Sequence, residues 1–179
     1  MISDEYRKLN EDLHRNNTLY GAKSGRHLDR VLRLAELTQG RTFLDYGCGK
    51  GQLVSVLNER GLSAAGYDPA IPERAAVPAP ADVVVCTDVL EHIEPTHLDA
   101  VLGDLRRVTQ KGLLLLIALR PDVSKLLPDG TNPHKIVETW NWWEGRLRHF
   151  FPVNEWQIET WSYVEDHHVI AVLTKSARQ

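Results

Sequence analysis

Cysteine is nearly missing from this chain: only Cys48 and Cys86 occur in 179 residues, with no Cys-x-x-Cys pair. That excludes a disulfide framework and a thiolate-clustered zinc site, and leaves two buried free thiols as the expectation. Long apolar runs are also missing. The longest, Leu113 to Leu119, is too short to cross a bilayer, and the opening Met1-Ile2-Ser3-Asp4-Glu5 lacks a signal-peptide core. A cytoplasmic protein with no membrane partner is therefore expected. An excess of basic charge is absent too: the net charge is −3, which argues against a broad nucleic-acid surface but permits a local basic groove. No tryptophan precedes Trp140, and no internal repeat is visible. Apolar content of 42% and charged content of 25% are ordinary globular usage, so one domain spanning 1–179 is expected.

Residues 43–51 read Phe-Leu-Asp-Tyr-Gly-Cys-Gly-Lys-Gly. A short apolar strand ends in an acid, and glycine then occupies every second position. Bare backbone allows a ligand to approach closely and permits positive φ in the turn. A helix is predicted from Gln52 to Arg60, with Leu53, Val54 and Leu57 on one face and Gly61 as its C-cap. A strand over Leu62–Tyr67 follows and ends in Asp68, 23 residues beyond Asp45. An acid at about that distance suits ribose hydroxyls, because one carboxylate accepts from both at once.

The remaining pattern alternates helix and strand. Helices are expected over 5–15, Arg26 to Thr38 (ended by Gly40), and from Thr96, where Asp99 completes a capping box. The last of these carries Leu98, Val101, Leu102, Leu105 and Val108 as its apolar stripe. Asp82 to Asp88 and Leu113 to Leu119 read as buried parallel strands. Trp140, Trp143, Leu147 and Phe150 mark the inner face of a late helix that leaves Trp142 off it, and two strands near 156–163 and 168–174 close the chain. Trp156 and Trp161 have opposite parity, so only one faces a given core without a bulge. Thirteen residues, four of them proline, separate Asp68 from Asp82. That is too short for a helix and a strand, so the third strand is expected to be very short or absent.

The acid before Gly-x-Gly-x-Gly, the later Asp68 and the segment Asp88-Val89-Leu90-Glu91-His92 together resemble the class I S-adenosylmethionine (SAM) methyltransferases over roughly residues 20–120. The resemblance implies a doubly wound α/β fold with a mostly parallel sheet, shortened around the third strand. It divides the chain into an N-terminal helical cap (1–40), a cofactor-binding core (41–120) and an acceptor side (121–179). It implies SAM as cofactor, held by Tyr20, Asp45, Gly47, Cys48, Gly49, Gly51, Asp68, Pro69, Thr87 and Asp88. Lys23 and Arg26 are further candidates ahead of the glycine loop. A helical turn after Asp88 would put residues 88, 91 and 92 on one face.

That cluster could shape the cofactor pocket, act as general base, or bind a divalent metal together with His134. Glu91, His92 and His134 are the candidate catalytic and metal-ligating residues. Here the chain is also similar to small-RNA 3′-end 2′-O-methyltransferases, with Asp88 where that family has a glutamate. The expected reaction is methyl transfer to an oxygen or nitrogen of a small-molecule acceptor. The alternatives are RNA as acceptor, or a SAM-binding module without catalysis.

Overall fold

The structure, a computed structural model, describes residues 2–16, 24–123, 126–127, 129–164 and 167–176. Its centre is one six-stranded sheet in the order β2-β1-β3-β4-β6-β5. The strands are β1 (Thr42–Tyr46), β2 (Ser63–Tyr67), β3 (Ala81–Thr87), β4 (Thr109–Ala118), β5 (Trp156–Val164) and β6 (His168–Lys175). The first four run parallel; β6 is antiparallel to β4, and β5 to β6. The helices are α1 (Asp4–Asn16), α2 (Leu28–Thr38), α3 (Gln52–Glu59), α4 (Leu98–Val108) and α5 (Trp140–Phe150).

Both faces of the sheet are covered, so the central strands are continuously apolar instead of alternating. On one face Leu44, Val84, Cys86, Leu113 and Leu115 pack with α4 and α5. On the other Phe43, Val83, Val85, Leu114 and Leu116 pack with α2 and α3. The α4 stripe read from the sequence is the buried one: Leu98, Val101, Leu102, Leu105 and Val108. The doubly wound, mostly parallel sheet is the expected one. Between β2 and β3 only a 3-10 turn over Pro72–Arg74 forms, so the strand expected to be shortened or lost between Asp68 and Asp82 is absent and β2 becomes an edge.

Several boundaries differ from expectation for local reasons. The left-handed residue closing α2 is Gln39, at φ 50°, and not Gly40. Gly40 is required instead for close packing, since a Cβ there would collide with Val83 Cγ2. No capping box forms at Thr96 and Asp99. Thr96 lies in a 3-10 turn (Pro95–His97) and bonds His97, while Asp99 pairs with Arg146 of α5. Strand β4 starts at Thr109, earlier than Leu113, because α4 runs straight into it and a register shift against Ala81–Val83 absorbs the join.

Phe150 is half-buried and Phe151 takes the core position, because α5 ends at Phe150. The parity of the last two tryptophans holds: Trp156 is buried on the α4–α5 face, and Trp161 packs partly exposed on the α2 face. Trp140 and Trp143 are core residues, as expected, while Trp142 is half-buried and stacks edge-on against Trp143. Among the described residues no helix is long and apolar enough to cross a membrane.

Trp143→Ala or Trp156→Ala, each removing a fully buried ring, is expected to cost about 3–5 kcal/mol. Trp142→Ala should cost about 1 kcal/mol or less. Urea unfolding midpoints check the contrast.

Candidate active site

The carboxyl ends of β1, β2 and β3 converge on the glycine loop, the edge at which open α/β sheets collect ligands. Gly47, Gly49 and Gly51 all have positive φ (78°, 48° and 74°). The amides of Gly47 and Cys48 donate to the Tyr67 carbonyl at 2.7 and 3.0 Å. Asp68 completes the tie, accepting from Gly49 N–H on Oδ2 and from Ala70 N–H on Oδ1, both at 2.9 Å. The loop after β1 is thereby locked to the turn after β2. Each Asp68 oxygen keeps a second lone pair for a hydroxyl donor.

Packing demands glycine at one of these positions and crowds a second. A Cβ on Gly47 would collide with Val89, and one on Gly51 with the Arg74 guanidinium. Arg74 reaches back from the short turn to donate to Gly49 O at 3.2 Å and Cys48 Sγ at 3.4 Å.

The other expected cofactor residues line the same edge. Asp45 is buried at the end of β1 and Thr87 at the end of β3, and Pro69 follows Asp68. Cys48 turns its side chain inward toward Gly66 and Val54, so only its backbone faces the loop. Burial pushes its thiol up to about 11, which keeps it protonated and inert. Tyr20 and Lys23 lie outside the described residues. Arg26 is described, and its Nη2 pairs with Asp88 Oδ2 at 2.8 Å.

The expected common face of residues 88, 91 and 92 does not form. Asp88 sits in the left-handed region at φ 55°, and the 3-10 turn begins only at Leu90. Its carboxylate is half-exposed beside Arg26, while Glu91 turns into the protein. What does assemble is Glu91, His92 and His134, which offer one ligand atom each within 4.8 Å of one another.

Every member of this group is oriented from behind. Glu91 is fully buried; Oε1 accepts from Ala118 N–H at 2.8 Å, and Oε2 has no partner. Burial, then the charge of Asp88, pushes its pKa up to about 8. His92 Nδ1 contacts Pro133 O at 3.1 Å and His134 Nδ1 contacts Arg120 O at 2.6 Å. A carbonyl only accepts, so each Nδ1 carries the proton and each Nε2 presents a bare lone pair. Burial and then neighbouring His134 lower His92 to about 4. Backing imidazoles with carbonyls in this way is how metal-ligating histidines are held. The donor set, one carboxylate oxygen and two imidazole nitrogens, suits either a base for a hydroxyl or a borderline divalent cation.

Sequence reasoning missed three contributors. The Lys135 and Ile136 amides bond the Glu91 carbonyl at 2.7 and 3.0 Å, which anchors the loop bearing His134. Tyr6 of α1 places its hydroxyl 3.4 Å from Pro133 O, the acceptor His92 also uses. Arg74 is the third. The first and third contributors join segments about 25 to 45 residues apart and Tyr6 spans 127, so no local pattern marks them.

A family model described as a methyltransferase domain matches residues 15–163. No curated protein matches the chain by sequence. Solved structures do. An O-methyltransferase family protein from Burkholderia thailandensis is 18% identical with TM-score 0.61, over 97% of this chain and 60% of its own length. The 1,6-didemethyltoxoflavin-N1-methyltransferase of the same organism, solved with bound 1,6-didemethyltoxoflavin and S-adenosylhomocysteine, is 14% identical with TM-score 0.66, over 97% of this chain and 90% of its own. Magnesium protoporphyrin IX methyltransferase from Synechocystis PCC 6803, with SAM bound, is 16% identical with TM-score 0.60, over 97% and 99%. At such identities these likenesses establish the fold.

Because native Glu91 titrates near 8 against an ordinary 4.5, the folded state binds more protons than the unfolded one between those values. Stability of the metal-free protein therefore falls as pH rises toward 8. The lowered His27 and His92 act in the opposite sense, but only below about 6.5. Between about pH 6.5 and 8.5, the melting temperature in chelator should drop for the wild type relative to Glu91→Gln. Parallel curves would show that Glu91 is already ionised.

Proposed function

This chain belongs to the methyltransferase-domain family, and on that premise we propose that it methylates a hydroxyl oxygen of a small-molecule acceptor using SAM. The observation that carries the oxygen reading is the orphaned Glu91 Oε2 beside the bare Nε2 atoms of His92 and His134. An amine acceptor needs only a neutral lone pair, whereas a hydroxyl must lose a proton. The glycine loop, as bare backbone tied to Tyr67 and Asp68, would hold the methionine portion of SAM. Asp68 would take the ribose hydroxyls on its remaining lone pairs, with Asp45, Pro69, Thr87 and Asp88 bordering the pocket. When bound, SAM supplies an electrophilic methyl group.

With Glu91 ionised, His134, turned by the Arg120 carbonyl, would accept the hydroxyl proton and the Glu91 carboxylate would balance the resulting charge, while His92, lowered to about 4, stays neutral beside it. The same three groups fit a divalent cation, which when bound supplies Lewis acidity to an acceptor hydroxyl. Alignment and exclusion of water contribute the rest, since the transfer needs no covalent enzyme intermediate. The triad also favours a second reading, in which the acceptor is the terminal ribose of an RNA 3′ end.

Calorimetry with SAM should give one-site binding that Asp68→Ala abolishes. Unchanged affinity in a folded Asp68→Ala protein would remove Asp68 from the pocket. His134→Ala should lower turnover at least about tenfold with SAM affinity retained. If EDTA also abolishes wild-type turnover, the metal is required; if EDTA has no effect while His134→Ala does, the imidazole acts as the base.

A further inference from the structure

On the face of the sheet opposite the triad, α2 and β5 flank an open cleft of about 450 Å³ lined by Arg26, Asp29, Arg30, Arg33 and Trp161. Three guanidinium groups face one carboxylate there, on a chain whose net charge is −3. Arg30 and Arg33 lie one helical turn apart, and among the described residues neither pairs with a carboxylate. The Arg33 guanidinium rests 4.7 Å above the Trp161 ring, so a flat cation backed by an indole borders the cavity. Arginine stacked in this way is a platform for planar rings, and a free arginine beside it is a phosphate ligand. His27 adds no charge: burial, then Arg26 and Arg30, lower it to about 4. Arg26 of its lining also pairs with Asp88 at 2.8 Å. Its volume suits a small molecule.

We propose that this cleft binds a nucleoside monophosphate, with phosphate on Arg30 and base on the Arg33–Trp161 stack. The assignment goes beyond the hydroxyl-methylation reading and does not depend on it. A nucleotide supplies both features that the cleft reads, an anion and a planar ring.

The test uses uridine 5′-monophosphate, titrated into protein saturated with S-adenosylhomocysteine so that the cofactor pocket is filled. Binding is read by calorimetry and by the Trp161 indole N–H resonance, assigned from its loss in Trp161→Phe. Saturable binding that shifts this resonance is expected, with inorganic phosphate at least about tenfold weaker for want of the ring. The double variant Arg30→Glu/Arg33→Glu should bind the nucleotide at least about tenfold more weakly while S-adenosylhomocysteine affinity stays unchanged. Should the double variant misfold by circular dichroism, Arg33→Gln alone reads the same loss.

The proposal is overturned by no saturable binding, by phosphate binding as tightly as the nucleotide, or by undiminished binding in a folded variant. Binding of a short single-stranded oligouridylate without binding of the mononucleotide also overturns it, in favour of a nucleic-acid track. If the wild type binds the nucleotide but neither SAM nor its product, the methylation reading fails and the cleft assignment stands.

Discussion

The cofactor edge depends on the Asp68 carboxylate. It stands at the end of an edge strand and holds one amide from each of two loops, Gly49 and Ala70, at 2.9 Å. With the Tyr67 carbonyl gathering the Gly47 and Cys48 amides, it determines where the glycine backbone lies relative to β2. Hydrogen bonds to an ionised carboxylate are roughly twice as strong as neutral ones. Buried at this site, they fix a loop that glycine alone would leave free. The same carboxylate that would bind ribose therefore also builds the pocket that receives it.

Losing a strand between β2 and β3 removes the wall that would otherwise flank β2. The short turn over Pro72–Arg74 partly replaces it. The Asp68 amide donates to the Arg74 carbonyl at 3.0 Å, and the Arg74 guanidinium then lies across Gly51 and bonds Gly49 O. A long side chain on a tight turn covers what a strand and helix would cover, and Gly51 is the accommodation on the other side of that contact.

The sheet and its helices were legible because their signals are periodic and local. The α4 stripe, the buried β3 and β4 runs, the parity of Trp156 and Trp161 and the missing strand all follow from residue spacing. The glycine loop and Asp68 were legible as chemistry, though part of the reason for glycine is a pair of tertiary contacts, Val89 and Arg74, that spacing does not reveal. The grouping of Glu91, His92 and His134 was readable only in outline. Asp88 was misplaced with them because a single left-handed residue ahead of the 3-10 turn rotates it out of their face, and backbone sign at one non-glycine position leaves no mark in the sequence. Helix ends failed for a related reason: the residues that cap α2 and α4 are chosen by packing and by the Asp99–Arg146 pair, and the local cap preferences are overridden.

That single rotation at Asp88 separates two functions along one strand end. Facing outward, Asp88 binds Arg26 and draws the segment before α2, with its cleft of arginines, to the cofactor edge. Facing inward, Glu91 is buried with one oxygen unpaired, an arrangement that costs several kcal/mol for a charged group unless something neutralises it. A proton does so in the free protein, consistent with its raised pKa. A bound cation, or a protonated imidazole during turnover, would do so in its place. The flanking histidines are already committed to the tautomer that serves either purpose, because the Pro133 and Arg120 carbonyls occupy the other nitrogen of each ring. Those carbonyls lie on a segment anchored through Lys135 and Ile136 to the backbone of Glu91 itself. The carboxylate and the two imidazoles are therefore held as one unit.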